Sequence, residues 1–184
     1  MFNNYMMKKE ILALGSAALL TATLFALNSC NSIPKGAKAI QGFDKEKYLG
    51  KWFEIARLDF VFEKNLSNTT AEYSLNDDGS IKVVNRGYNY IKNKNVESTG
   101  KVKFVGDSNE GKLKVSFFGP FYSGYNILAL DSDYKYALVA GKNIKYMWLL
   151  SRNETMPENI KNDYLKIAKD LGYDTSALIW VKHN

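Results

Sequence analysis

Eight short apolar stretches follow one another between residues 51 and 150, and none of the segments that part them is long enough for a helix. Period-two or continuous apolar patterning predicts strands at about 51–61, 69–75, 80–88, 96–105, 112–117, 124–130, 136–140 and 145–150. Asn76-Asp77-Asp78-Gly79 and the run Gly106 to Gly111 are strong turn signals. Strands so closely spaced become antiparallel, up-and-down neighbours, and βαβ units are excluded. One helix follows: Pro157 opens it, Ile160, Tyr164, Ile167, Ala168 and Leu171 recur at spacings of three and four, and Gly172 stops it. A last short strand is expected at 177–182, and Asp44 is placed to cap one helical turn through Leu49. The predicted fold is all-β: an eight-stranded antiparallel up-and-down β-barrel with no free edge, one C-terminal α-helix packed outside and a short final strand.

Alternation predicts what the barrel encloses. Ala71-Tyr73-Leu75, Ile81-Val83-Asn85, Val102-Phe104, Leu113-Val115-Phe117 and Tyr146-Trp148-Leu150 each occupy one strand face. Lys82, Lys101, Lys103, Lys112, Lys114 and Ser116 occupy the other, which belongs in water. A barrel of eight strands is just wide enough to be filled by side chains or to hold one small ligand. Asn85 favours a polar requirement inside, because a buried amide needs a partner.

The front of the chain reads as targeting sequence. Lys8-Lys9 precede an uncharged, mostly apolar run from 11 to 27, followed by Asn28-Ser29-Cys30. A basic start, an apolar middle and small residues at the end mark a secretory signal peptide over 1–29. Leu27-Asn28-Ser29-Cys30 resembles a bacterial lipobox, in which the cysteine is acylated and becomes the new N-terminus. The chain's one cysteine stands at the one place such lipidation requires. Residues 30–41 are read as a lipidated tether and 42–184 as the barrel domain. Asn31 follows the cysteine where Asp, by resemblance to known sorting rules, favours inner-membrane retention. Lipid anchoring in the outer membrane, facing the periplasm, is therefore expected.

Composition removes several function classes. One cysteine forbids an internal disulfide, and a single histidine, His183, argues against a His-ligated metal or a Ser-His-Asp triad. The formal charge of +6 is scattered, with no long basic block, so nucleic acid is not an expected partner. No catalytic residue, cofactor or metal site is assigned. Glu54 beside Arg57, and the pair Asp131/Asp133, read as salt bridge and turn caps.

Three short motifs carry a family resemblance. Gly50-Lys51-Trp52 resembles the first signature of lipocalins, Asp133-Tyr134 the second, and Arg152, closing Trp148-Leu-Leu-Ser-Arg152, the third. The stretch 114–126 narrows this to lipocalins of the bacterial outer membrane, over roughly residues 42–182. The resemblance implies that Trp52 closes the narrow end of the barrel with Arg152 across its face. Gly50, Trp52, Asp133, Tyr134 and Arg152 then form a structural signature. It also implies storage or transport of a hydrophobic ligand, with fatty acids or lysophospholipids the expected class and a homodimer left open. Candidate lining residues are Tyr73, Val83, Asn85, Phe104, Phe117, Asn126, Leu128, Tyr136 and Trp148. A carboxylate head-group is expected near the mouth, within reach of Arg86 or nearby lysines. A lipid-modifying enzyme on the same barrel and a structural lipoprotein with a filled barrel are the competing readings.

Overall fold

The computed structural model describes residues 32–183. The strands are β1 (Gly50–Leu58), β2 (Leu66–Leu75), β3 (Ile81–Asn89), β4 (Lys94–Phe104), β5 (Lys112–Phe118), β6 (Phe121–Leu130), β7 (Tyr136–Ala140), β8 (Met147–Ser151) and β9 (Leu178–Trp180). A single helical turn, α1 (Lys45–Tyr48), precedes β1, and a longer helix, α2 (Glu158–Asp170), separates β8 from β9. Each strand from β1 to β8 pairs antiparallel with the next, and β8 returns to β1, so the sheet closes into a barrel. Strand β9 adds to β1 along Ala56–Leu58, where β1 has parted from β2, and Asn68 N–H donates to Lys182 O on its other side. The final strand thus fills the one seam that would leave backbone groups unpaired.

Local chemistry sets the ends of these elements. The Asp44 carboxylate accepts the Glu46 N–H at 3.0 Å and caps α1. The β2–β3 hairpin turns through Gly79 at φ +75°, a conformation that costs glycine little. Helix α2 begins after Pro157, and Gly172, at φ +86°, ends it. The predicted last strand is shorter than expected, because Thr175–Ala177 forms a 3-10 turn that Asp174 caps.

Two apolar layers lie either side of one wall. Inside the barrel, Trp52, Tyr73, Val83, Val102, Leu113, Ile127, Val139 and Leu150 form one buried cluster. Outside β1, β7 and β8, residues Ile55, Leu58, Leu138, Met147 and Leu149 form another with Tyr164 and Ala168 of α2. Fully burying one such aliphatic side chain contributes about 1.5–3 kcal/mol. The helix therefore seals one side of the barrel wall, while β3–β5 turn lysines on their outer faces to water, although Val84 and Ser116, the latter expected in water, are buried there.

The stretch expected to be a tether is laid on the barrel from Ser32 onward. Ile40 N–H donates to Ile127 O and Ile40 O accepts Gly111 N–H, both at 2.9 Å, and Ala39 is buried. Backbone pairing with the wall replaces the freedom that polar composition suggested. The expected signal peptide and Cys30 lie outside the described residues.

Candidate ligand-binding lumen

One end of the barrel is closed by α1 and the connections at 76–80, 105–111 and 131–135. Trp52 is fully buried there and donates its indole N–H to Tyr48 O at 2.9 Å. The Arg152 guanidinium lies 3.9 Å above its ring, a cation–π contact of about 0.5–2 kcal/mol. Its N–H groups also donate to the carbonyls of Tyr134, Lys51, Lys47 and Tyr48, at 2.9–3.2 Å. One side chain thereby ties the β6–β7 turn, β1 and α1 together. Gly50, at φ +92°, brings β1 in beneath it; a Cβ there would meet Arg152 Nη1 at 3.4 Å. Tyr134 holds φ +57°, and its hydroxyl accepts the Asp44 N–H at 2.8 Å. Asp133 sits in the same turn, paired with Lys135 at 2.8 Å and exposed.

Above this floor the hydroxyls of Tyr48, Tyr125 and Tyr73 form a chain with 2.7 Å links. Burial pushes all three phenols well above their ordinary pKa, so they are neutral hydrogen-bonding groups at any physiological pH. The closed third of the lumen is packed with aromatic rings: Phe43, Tyr48 and Tyr73 meet edge to face, at 5.3 Å between centroids.

Polar groups gather toward the mouth. In a regular strand Glu54 and Arg57 would point to opposite faces. A register shift between Glu54 and Ala56 adds a residue and turns both inward, and Arg57 sits opposite Trp148. Arg57 Nη1 donates to Glu54 Oε1 at 2.6 Å, and both side chains are buried. Arg57 Nη2 donates to Glu63 O and Leu66 O, at 2.7 and 3.2 Å, strapping the β1–β2 loop inward. The Glu63 carboxylate accepts the Trp148 indole N–H at 2.9 Å. Burial first, and then the nearby Glu54 charge, push Glu63 up to about 8, against the opposing pull of Trp148 and Arg57. Burial also raises Glu54, again opposed by Arg57. One positive charge thus shares a low-dielectric site with two carboxyls, one of which is protonated near neutral pH. Arg57 Nε is buried without a hydrogen-bond partner, and so is Asn85 Oδ1 on β3.

The lining residues expected from alternation divide into two groups. Tyr73, Val83, Phe104, Phe117 and Trp148 belong to the inner cluster or pack on it, and Asn85 shares the inward face of β3 with Val83. Phe117 lies over Gly100, where a Cβ would come within 2.9 Å of its ring. Asn126, Leu128 and Tyr136 are corrections. Asn126 points outward and is fully buried beneath the N-terminal stretch, donating to Ser32 O at 2.7 Å. Leu128 and Tyr136 pack on the outer cluster under α2. The inward positions are Tyr125, Ile127, Ala137 and Val139, with a register shift between Ile127 and Ala129. Arg86 is also corrected: it is exposed on the outer face and bridges Glu72 and Glu97 at 2.6 and 2.8 Å. The expected Glu54–Arg57 salt bridge forms, but sequence reasoning missed that it is buried inside the barrel and that Glu63 joins it. Its signal was an acid and a base inside an apolar strand with little exposed face.

The family model described as a lipocalin-like domain matches residues 43–183. The chain belongs to the lipocalin family. This lipocalin is 47% identical over 166 residues to "Outer membrane lipoprotein Blc" of Citrobacter freundii, covering 90% of this chain and 94% of that protein. It is 35% identical over 152 residues to "Temperature-induced lipocalin-1" of Arabidopsis thaliana, covering 78% and 81%. Insecticyanin from the tobacco hornworm shares its fold at TM-score 0.66 and 21% identity, covering 83% of this chain and 87% of that one. Membership of the family supports hydrophobic-ligand binding as the general role of the lumen.

Proposed function

We propose that this lipocalin is a non-catalytic, lipid-anchored carrier or store for single-chain lipids in the outer membrane. Acylated Cys30 holds it at the membrane, facing the periplasm, and the lumen takes one fatty acid or lysophospholipid. The observation that carries this reading is the lumen's polarity: an apolar inner wall, closed at one end by Trp52 and Arg152, with its ionisable groups near the mouth. An acyl chain pointing inward meets Val83, Phe104 and Val139, while its head-group remains level with Asn85 and Trp148. Burying about ten methylenes yields on the order of 8 kcal/mol before ordering costs, and longer chains add about 0.8 kcal/mol per further methylene. Outer-membrane residence rests on the names of the bacterial relatives, which are outer membrane lipoproteins.

The test is native mass spectrometry of protein taken from its own membranes, followed by lipid extraction and displacement of a fluorescent fatty acid. Co-purifying acyl lipid and saturable displacement are expected, together with a mass that places the acyl groups on Cys30. The aromatic packing of the closed third supports one rival, a structural lipoprotein whose barrel is filled throughout. A clean apo mass with no displacement would establish that rival and overturn the carrier reading.

A further inference from the structure

The large apolar side chains most exposed among the described residues sit together on the four connections around the mouth. Val61 and Phe62 on the β1–β2 loop are 76% and 70% exposed, Ile91 on the β3–β4 turn 68%, and Phe121 at the β5–β6 hairpin 79%. Phe118 and Ile144 continue the ring on that hairpin and on the β7–β8 connection. At the closed end Leu75 is the exposed counterpart, at 41%. An apolar ring of this extent on a secreted domain marks a contact surface, not scattered exposure.

Charge tells which surface it meets. Lys64, Lys92, Lys94, Lys142 and Lys145 are exposed on the same connections, with Asp59 as the exposed acid among them. On the opposite end the connections at 76–80, 105–111 and 131–135 carry Asp77, Asp78, Asp107, Glu110, Asp131 and Asp133 against Lys135, and α1 with its cap adds Asp44 and Glu46 against Lys45 and Lys47, so that end is net acidic. Apolar residues interleaved with lysines fit the interface of an anionic bilayer, where each lysine strengthens attachment roughly five-fold. A second copy of this chain would set lysines against lysines.

The place where the chain leaves the barrel agrees. Ser32 O lies 1.8 Å from where a Cβ on Gly124 would stand, and it accepts the Asn126 amide N–H. Gly124 is three residues, ~10 Å, along β6 from Phe121. Ser32 thus meets the mouth half of a wall whose ten-residue strands run ~33 Å, and the acylated residue proposed above precedes it in the chain.

We infer that the mouth ring of this lipocalin docks on anionic phospholipid bilayers, its apolar side chains entering the interface and its lysines resting on the head-groups. The lumen then opens onto the lipid phase. An aromatic file joins the two, because Phe60 lies 5.8 Å from Trp148 and 6.1 Å from Phe62 between centroids. A single-chain lipid can pass from bilayer to lumen along these rings without crossing water.

The test places a tryptophan in the full chain at Phe62→Trp or, as control, at Leu75→Trp. Each protein is reconstituted in vesicles of phosphatidylethanolamine and phosphatidylglycerol with brominated acyl chains, and the wild-type signal is subtracted. Several-fold stronger quenching and a blue shift at Phe62→Trp are expected, and Lys92→Gln with Lys145→Gln reduces both. Equal quenching at the two positions, or none at either, overturns the inference. So does quenching that is unchanged on phosphatidylcholine and unmoved by the lysine substitutions. A blue shift without quenching that grows with protein concentration assigns the ring to contacts between copies. Loss of fatty-acid displacement with quenching intact overturns the carrier reading alone.

Discussion

The two ends of the barrel are made by the same eight strands and solve opposite problems. At the closed end nearly every strong donor has a fixed acceptor. Arg152 reaches four backbone carbonyls, Trp52 shares one of them at Tyr48 O, and three tyrosine hydroxyls satisfy one another. At the open end a guanidinium and two carboxyls are buried together with incomplete partners, and the loops above them expose phenylalanine and isoleucine. Hydrogen bonding is closed where the chain shuts the barrel and left incomplete at Arg57 Nε toward the mouth. A protein optimised only to fold would have treated both ends alike.

The largest effect that could break this comparison lies at the floor. Trp52→Ala removes a wholly buried indole and should cost about 3–5 kcal/mol in urea unfolding. Arg152→Lys should also destabilise, because an ammonium cannot reach four carbonyls or lie flat on the indole. Any folded fraction should bind a fluorescent fatty acid as before. Lost binding with unchanged unfolding would show that the floor is part of the site.

At the mouth Arg57→Met should cost a comparable ~3–5 kcal/mol, since it leaves Glu54 buried without its cation. Unlike the floor variants, it should also speed ligand exchange, because Arg57 holds the β1–β2 loop through Glu63 O and Leu66 O. Adding Glu54→Gln should recover most of the stability and none of the exchange rate. Stopped-flow release of a bound probe, read beside the unfolding curves, separates the two effects.

How far the sequence could be read follows from which wall faces water. On β3–β5 the outer face carries Lys82, Lys101, Lys103, Lys112 and Lys114, so the phase of alternation is unambiguous and Val83, Phe104 and Phe117 fall inward. On β6 and β7 both faces are apolar, because α2 or the N-terminal stretch covers the outside. Asn126-Ile-Leu-Ala and Tyr136-Ala-Leu-Val then have no phase to read, and Asn126, Leu128 and Tyr136 lie on the face opposite to the expected one. The strand order and helix were legible because they need only segment type and spacing. The Glu54–Arg57 salt bridge was legible as a pair but its place inside the lumen was not, since only a bulge brings residues three apart in a strand to one face.

An effect of comparable size, spread over several pH units, separates the ends by pH. Glu63 ionises near pH 8 in the fold but near ~4.3 once unfolded. Between these values the folded chain keeps a proton that the unfolded chain has released. Stability therefore falls as pH rises through the window and levels off above it. Glu54 adds to the slope, while Arg57 and Trp148 oppose it. Glu63→Gln should flatten the melting temperature between about pH 5 and 8; an unchanged slope would assign it to groups elsewhere. The floor tyrosines are neutral throughout this range and contribute nothing to it.

The smallest stability effect belongs to the mouth's most exposed contact. Phe62 of the β1–β2 loop and Phe118 at the end of β5 meet at 5.8 Å between centroids from opposite sides of the barrel, and this contact is expected to act as a bar across the opening. Both are largely exposed, and Phe62→Ala should change unfolding by less than about 0.5 kcal/mol. Its consequence should be kinetic. With the bar gone, association and release of a fluorescent fatty acid should accelerate together, leaving the equilibrium affinity nearly constant, because the lumen wall below is untouched. A drop in affinity without faster association would make Phe62 part of the ligand's resting contact and move the boundary between gate and site upward, into the loops.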